Sequence, residues 1–260
     1  MSKTLVIYCY FRETEATRYF FKHGVEEIPS VDYMVVINQP NIDEPISLPQ
    51  EILNYKNVTV LNRDNSGRDW GAYSHALQHL KDSEEINNYD YFVFLNETVI
   101  GPFFPLWADN QNWTTAFTSL INERDKLVGC TINCNCMIPD AYMPHVQTFL
   151  FATDQTGVKV GFDEGIFSND ISDLKFDVIY EKEIGYSRAI LSNNYNISCL
   201  MPCYKGVDFR NEEPKKKGGD PWNENAYFSC NIHPFETIFF KNNRKFQGKL
   251  INNLISWSNL

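Results

Sequence analysis

Positive charge is scarce in this chain. Its 23 Lys and Arg residues face 33 Asp and Glu residues, a formal net charge of -10. A nucleic-acid binder needs a basic footprint, and so does a protein drawn to an anionic membrane, so neither partner is expected. A nucleotide diphosphate stays open as a ligand, because a local cation or metal can offset the overall field. Long apolar runs are missing as well. None approaches the ~20 residues that span a bilayer, so no transmembrane segment is expected. Met1 to Lys3 lead straight into TLVIYCYF, too short for a secretory core and without a small-residue cleavage site. The expected compartment is therefore the cytoplasm. The phosphate signatures GxxxxGK[ST] and GxGxxG are absent, which sets aside a Walker loop and a Rossmann fingerprint. The seven cysteines include no CxxC. Cys134 and Cys136 form a CxC, no second Cys/His pair stands at zinc spacing, and reduced thiols are expected. Sequons at Asn57, Asn96, Asn112 and Asn196 are expected to be inert without export. No repeat, low-complexity tract or linker divides the 260 residues, so a single domain over 1–260 is expected.

What is present is a core-forming, alternating pattern. Hydrophobic residues make up 43% of the chain and aromatic residues 15%, enough for a sizeable packed interior. Thr4 to Phe11 is a short apolar run rich in β-branched and aromatic residues, a buried strand. Thr14 is placed to cap a helix running to about His23, with Gly24 at its end. Asp32–Asn38, closed by Pro40, and Val58–Leu61 are further strands. Trp70–Lys81 sets Tyr73, Ala76, Leu77 and Leu80 at helical spacing. Tyr91–Leu95 is a strand stopped by GPFFP, Trp113–Arg124 a helix and Leu127–Ile132 a strand. This strand–helix rhythm implies an α/β fold with a mostly parallel sheet covered on both faces. Later signals are weaker: a strand at Val146–Phe151, a helix at Glu181–Leu191, a strand at Ile197–Met201, a loop at 212–222 and an amphipathic stretch at Phe246–Trp257.

Ligands of open α/β sheets bind beyond the carboxyl ends of the strands, and two unusual segments fall there. The loop NRDNSGRDWGAY, residues 62–73, has Asn65, Gly67 and Gly71 for close backbone approach, and Arg68 with a planar fork suited to phosphate. Asp69 is placed to cap the following helix. The second segment ends the strand YFVFL with Asn96, Glu97 and Thr98, three oxygen-bearing side chains that together suit a hard cation and a diphosphate. A polar loop with a capped helix, and a strand end with polar turn residues, are the plainer alternatives.

The blocks NSGRDWGAY, FLNETVIGPF, LVGCTINC, PHVQTFLF, EIGYSRAIL and HPFETIFFKNNR, in that order, resemble glycosyltransferases related to rhamnan-synthesis proteins, including those encoded by large algal viruses. The resemblance implies a GT-A, Rossmann-like fold and a nucleotide-diphospho-sugar donor, UDP-linked first, with residues 1–135 as the donor half and 136–260 as the acceptor half. It also implies that Tyr10, Phe11, Arg12 and Asn38 border the nucleotide and that Asn65, Gly67, Arg68 and Asp69 contact nucleotide or diphosphate. FLNET occupies the slot where such enzymes usually carry a DxD metal motif. Asn96 and Thr98 stand for the aspartates with Glu97 between them, so a weakly held Mn²⁺ or Mg²⁺ on Asn96, Glu97 and Thr98 is the expectation.

Sugar transfer needs a stabilised leaving diphosphate, a base for the acceptor hydroxyl, and polar contacts to the sugar. Arg68, Arg188, Lys241 and Arg244 are candidate phosphate partners. Asp69, Glu181, Glu183 and Glu236 are candidate carboxylates, with Asp69, Glu183 and Glu236 taken as catalytic. His145 and Gln147 in PHVQTFLF, with Arg188, His233 and Lys241, are candidates for holding substrate, a glycan acceptor included. A non-catalytic sugar-binding module of the same fold and a nucleotidyltransferase are the competing readings. The latter lacks its glycine-rich N-terminal phosphate loop.

Overall fold

The computed structural model describes residues 2–39, 48–108, 112–134, 144–168, 170–211, 220–244 and 247–259. Pro40, Cys136 and most of the lysine-containing 212–222 loop lie outside them. In chain order the strands are β1 (Thr4–Tyr10), β2 (Val31–Gln39), β3 (Val58–Asp64), β4 (Tyr91–Asn96), β5 (Val99–Ile100), β6 (Asp125–Gly129), β7 (Ile132–Asn133), β8 (His145–Val146), β9 (Leu150–Asp154), β10 (Asn196–Cys199) and β11 (Phe240–Lys241). The helices are α1 (Glu15–His23), α2 (Gln50–Leu53), α3 (Arg68–Asp82), α4 (Thr115–Thr118), α5 (Gln155–Asp163), α6 (Lys175–Asp177), α7 (Gly185–Ser192), α8 (Pro234–Thr237) and α9 (Gly248–Ser258). A π-helical stretch, Val178–Ile184, joins α6 to α7.

A seven-stranded sheet in the order β10-β6-β9-β4-β1-β2-β3 is the spine. Every strand of it runs parallel except β9, which is inserted antiparallel between β4 and β6. All of β1 and nearly all of β2 is buried, as both-face coverage requires of uniformly apolar strands. Thr14 caps α1 with a reciprocal box: its side chain accepts from the Thr17 amide and the Thr17 hydroxyl accepts from the Thr14 amide. One aromatic stack, Trp70 on Phe151 on Phe94 with centroids 5.6 and 4.6 Å apart, ties α3 to β9 and β4.

Several elements differ from the sequence expectation. The helix expected over Trp113–Arg124 is a single turn, α4. Its Thr- and Asn-rich ends divert backbone bonds to side chains, with Asn122 Oδ1 accepting from the amides of Arg124 and Asp125. The strand expected at Val146–Phe151 divides into β8 and β9 around a turn at Thr148–Phe149. Strand β3 continues past Leu61 because backbone pairing with β2 carries on to Asp64 opposite Gln39. Cys9, Cys130, Cys134 and Cys199 are buried, Cys203 and Cys230 are exposed, and all six are free thiols. No described helix is long and apolar enough to cross a membrane.

Candidate active site

The reversed strand determines where the site forms. Leu150, the first residue of β9, pairs with Leu95 near the end of β4. The start of β9 therefore lies at the edge where the parallel strands end, and residues 145–149 are delivered to the same place as the β1, β2 and β4 termini. A cavity of about 980 Å³ opens there, in the range of small-molecule sites.

The first wall is a lattice of hydrogen bonds around the 62–73 loop. Asn38, at the end of β2, donates through Nδ2 to the Arg68 carbonyl at 2.8 Å and accepts at Oδ1 from Arg63 Nη1 at 2.8 Å. Arg63 also donates to the Ser66 carbonyl at 2.7 Å. The turn requires left-handed backbone at Gly67 (φ 67°) and at Arg68 (φ 56°), the second a strained place for a residue with a Cβ. Gly71 lets α3 approach the loop: a Cβ there would meet the Ser66 carbonyl oxygen at 2.1 Å. Asp69 was expected to cap this helix. Instead it lies in the first turn of α3 behind Gly67, and its Oδ2 accepts from Asn96 Nδ2 at 2.7 Å. The carboxylate beside the helix start is that of Asp173, accepting the Gly67 amide at 2.7 Å, while Arg68 Nε donates to the Asp173 carbonyl at 3.3 Å.

The β4 terminus is equally committed. Asn96 Oδ1 accepts from both the Thr98 amide at 3.0 Å and the Thr98 hydroxyl at 2.6 Å. Asn96 and Thr98 thus spend their polar atoms on each other and on Asp69. The neighbouring carboxylates are held against ionisation. Burial raises the Glu97 pKa to about 7, with the Asp69 charge adding to the rise and Arg12 opposing it. Asp69 is raised too, chiefly by desolvation, against the hydrogen bond from Asn96. Among the described residues, no group of three or more His, Cys, Asp or Glu could hold a metal ion.

The opposite wall is gathered from distant segments. Glu183, on the π-helical stretch, accepts from the Thr148 amide at 3.2 Å and the Thr148 hydroxyl at 2.8 Å, and its other oxygen lies 3.6 Å from His145 Nε2. Gln147 accepts from the Thr131 hydroxyl and donates to Asp220 Oδ1, and Asp220 Oδ2 takes Arg244 Nη2 at 3.1 Å. Lys241 stands over the face of Phe149, its Nζ 4.9 Å from the ring centroid, and burial pushes its pKa down.

Of the residues expected at the site, Phe11, Arg12, Asn38, Asn65, Arg68, Asp69, Asn96, Glu97, Thr98, His145, Gln147, Glu183, Lys241 and Arg244 line the cavity. Tyr10, Gly67, Arg188, His233 and Glu236 do not. Tyr10 is buried against Phe21, and Gly67 acts only through its backbone turn. Arg188 lies over the ring of Tyr180. His233 is the N-cap of α8, accepting from the Phe235 amide, and Glu236 receives the Tyr227 hydroxyl. Being three residues apart in one turn of helix did not bring these two to the cleft. Phe149, Lys175, Phe176, Asp220 and Asn223 also line it and were not among the candidate site residues. Each comes from a loop or helix start with no periodicity of its own.

A family model described as rhamnan synthesis protein F matches residues 43–203, well over half of the chain. No curated protein matches. Among solved structures, one similar chain is a glycosyltransferase involved in the glycosylation of the major capsid of PBCV-1. It is 11% identical, covers 77% of this chain and 84% of its own, and has a TM-score of 0.39. At that level the likeness adds nothing to the architecture described above.

Proposed function

We propose, from the premise that this chain belongs to the rhamnan synthesis protein F family, that it is a glycosyltransferase taking a sugar from a nucleoside-diphosphate donor to a hydroxyl of a growing glycan. The observation that carries this reading is the two-walled cleft. Arg68, Asp69 and Glu97 at the ends of the parallel strands face Glu183, Lys241 and Arg244 across one cavity. The nucleotide lies along the first wall, at the ends of β1, β2 and β3, where ligands of open parallel sheets bind. UDP is the first donor to test.

In the reaction the acceptor oxygen forms a bond to the anomeric carbon while the bond from that carbon to the diphosphate oxygen breaks. The electron pair leaves with the nucleoside diphosphate and the acceptor proton passes to a carboxylate. Glu183 suits that role, because two hydrogen bonds from Thr148 hold it without neutralising it. Asp69, locked by Asn96, suits a hydroxyl of the donor sugar. Phe176, 62% exposed at the rim, offers the apolar face of an acceptor sugar a flat surface.

A thermal-shift screen over UDP-, GDP- and TDP-sugars is the first experiment, since a ligand of the folded state raises apparent stability. The reading expects one nucleotide class to stabilise the protein and its sugar to be released slowly to water without acceptor. Binding with no turnover under any acceptor would make the chain a binding module. No stabilisation by any nucleotide sugar would sink the reading.

A further inference from the structure

The strand end that would carry a divalent cation in related transferases does not fit one. Asn96 Oδ1 already accepts two hydrogen bonds from Thr98, its amide nitrogen faces Asp69, and the Thr98 hydroxyl is committed to Asn96. Ca²⁺ wants about six to eight oxygens, and even Mg²⁺, which borrows phosphate oxygens from its substrate, is held by one or two ionised carboxylates. Of the three residues in the slot, Glu97 alone has a carboxylate to give.

A cation of the protein's own stands beside that slot. Strand β11 pairs antiparallel with β5, placing Lys241 opposite Val99, the residue after Thr98. Asn242 fastens the strand there: its amide donates to the Thr98 carbonyl at 3.0 Å and its side chain to the Glu97 carbonyl at 3.3 Å. Lys241 lines the cavity over Phe149, yet its ammonium makes no hydrogen bond or ion pair among the described residues. An ammonium has three donors, and at the cavity wall those of Lys241 can meet the oxygens of a ligand. Glu183, Asp220 and Asp69 face it and favour its charge, while Arg244 and burial oppose it. Arg244, three residues on, is held by Asp220 with its Nη2, and its buried Nε has no partner among the described residues. By contrast, Arg68 has its Nε engaged with the Asp173 carbonyl.

We propose that Lys241, supported by Arg244, seats the donor's diphosphate in place of a divalent cation, so that the leaving group is stabilised by a fixed ammonium. The inference rests on the transferase reading above. As the anomeric carbon–oxygen bond breaks, negative charge grows on the departing phosphate oxygen. The ammonium meets it with charge and hydrogen bonds, and no proton need move. Lys241 makes no hydrogen bond or ion pair among the described residues, and a methionine keeps an apolar stem over Phe149, so Lys241→Met should leave folding intact.

The test compares the full chain with Lys241→Met and Lys241→Arg. Binding of UDP, GDP and TDP is titrated beside the matching phosphate-free nucleosides, and turnover is followed in excess EDTA and in added Mn²⁺. The expected result is unchanged wild-type turnover in EDTA. Lys241→Met should melt no lower than wild type, bind the nucleoside diphosphate about ten- to hundredfold more weakly, bind the nucleoside equally, and not be rescued by Mn²⁺. Lys241→Arg should retain most of the diphosphate affinity. Wild-type turnover lost in EDTA and restored by Mn²⁺ overturns the proposal, as does undiminished diphosphate binding by Lys241→Met. A wild-type protein that binds no nucleoside diphosphate at all overturns the transferase reading itself.

Discussion

The two walls of the cleft are built in opposite ways. The first comes from consecutive strand ends and one loop, and its side chains mostly bond to backbone: Asn38 to Arg68, Arg63 to Ser66, Asn96 to Thr98. The second is gathered from β8, β9, the π-helical stretch, the segment around Asp220 and β11, and it is held by side chain meeting side chain: Thr148 with Glu183, Gln147 with Asp220, Asp220 with Arg244. A backbone-pinned wall suits a ligand of constant shape such as a nucleotide. A wall of side-chain contacts can vary with the acceptor while the sheet stays unchanged.

The largest expected effect separates chemistry from binding across this divide. Glu183→Gln should lower turnover by roughly a hundred- to ten-thousandfold, the scale of a lost general base, with donor affinity changed little. Steady-state kinetics beside a donor titration check it, and a loss confined to donor affinity would move Glu183 to the wrong wall. Gly71→Ala should break the first wall alone. Its new methyl meets the Ser66 carbonyl, so about 1–3 kcal/mol of stability should go with most of the donor affinity, as denaturant melts and the same titration would reveal. Arg68→Ala should be milder, weakening donor about ten- to hundredfold with a nearly normal melting temperature. Its partner Asp69→Asn should bind donor yet turn over slowly, and normal turnover there would reduce this loop to scaffold.

A final effect concerns pH and is read on stability alone. Glu97 titrates near 7 in the folded protein and near 4.5 when unfolded, so the folded state binds more protons between these values. Stability contributed by its neutral form is fully present below about pH 4.5 and is lost as pH rises through about 7, with a ceiling of about 3 kcal/mol. Glu97→Gln should flatten that part of the stability–pH profile and melt higher than wild type at pH 8. A parallel profile for the variant would reassign the titration.

The first wall was largely legible in the sequence and the second was not, for a physical reason. A strand buried on both faces shows itself as an apolar run, and a helix start as a capping pattern, so the strands expected at Thr4–Phe11 and Tyr91–Leu95 and the cap at Thr14 could be read directly, each strand end within one residue. Asn65, Arg68 and Asn96 followed as the polar residues at those ends. Lys241 and His145 drew notice as charged or ligating types, but Phe149 and Asp220 look like any aromatic and any loop acid. Their place in the cleft comes from the reversal of β9 and the pairing of β11 with β5, which depend on residues far apart in the chain. His233 and Glu236 failed in the opposite sense: they are chemically suggestive and adjacent, yet engaged with their own turn and with Tyr227.

The bond from the Gly67 amide to Asp173 spans 106 residues. It gives the 62–73 loop a place in time as well as in space. During synthesis, β1, β2, β3 and the start of α3 emerge long before the carboxylate that holds their loop, so the loop cannot take its final shape until residue 173 has left the ribosome. A nascent chain stopped short of it carries every residue of the first wall but not the bond that completes it. The finished shape of this loop is therefore a late event in the birth of this protein, set by a residue outside the loop it completes.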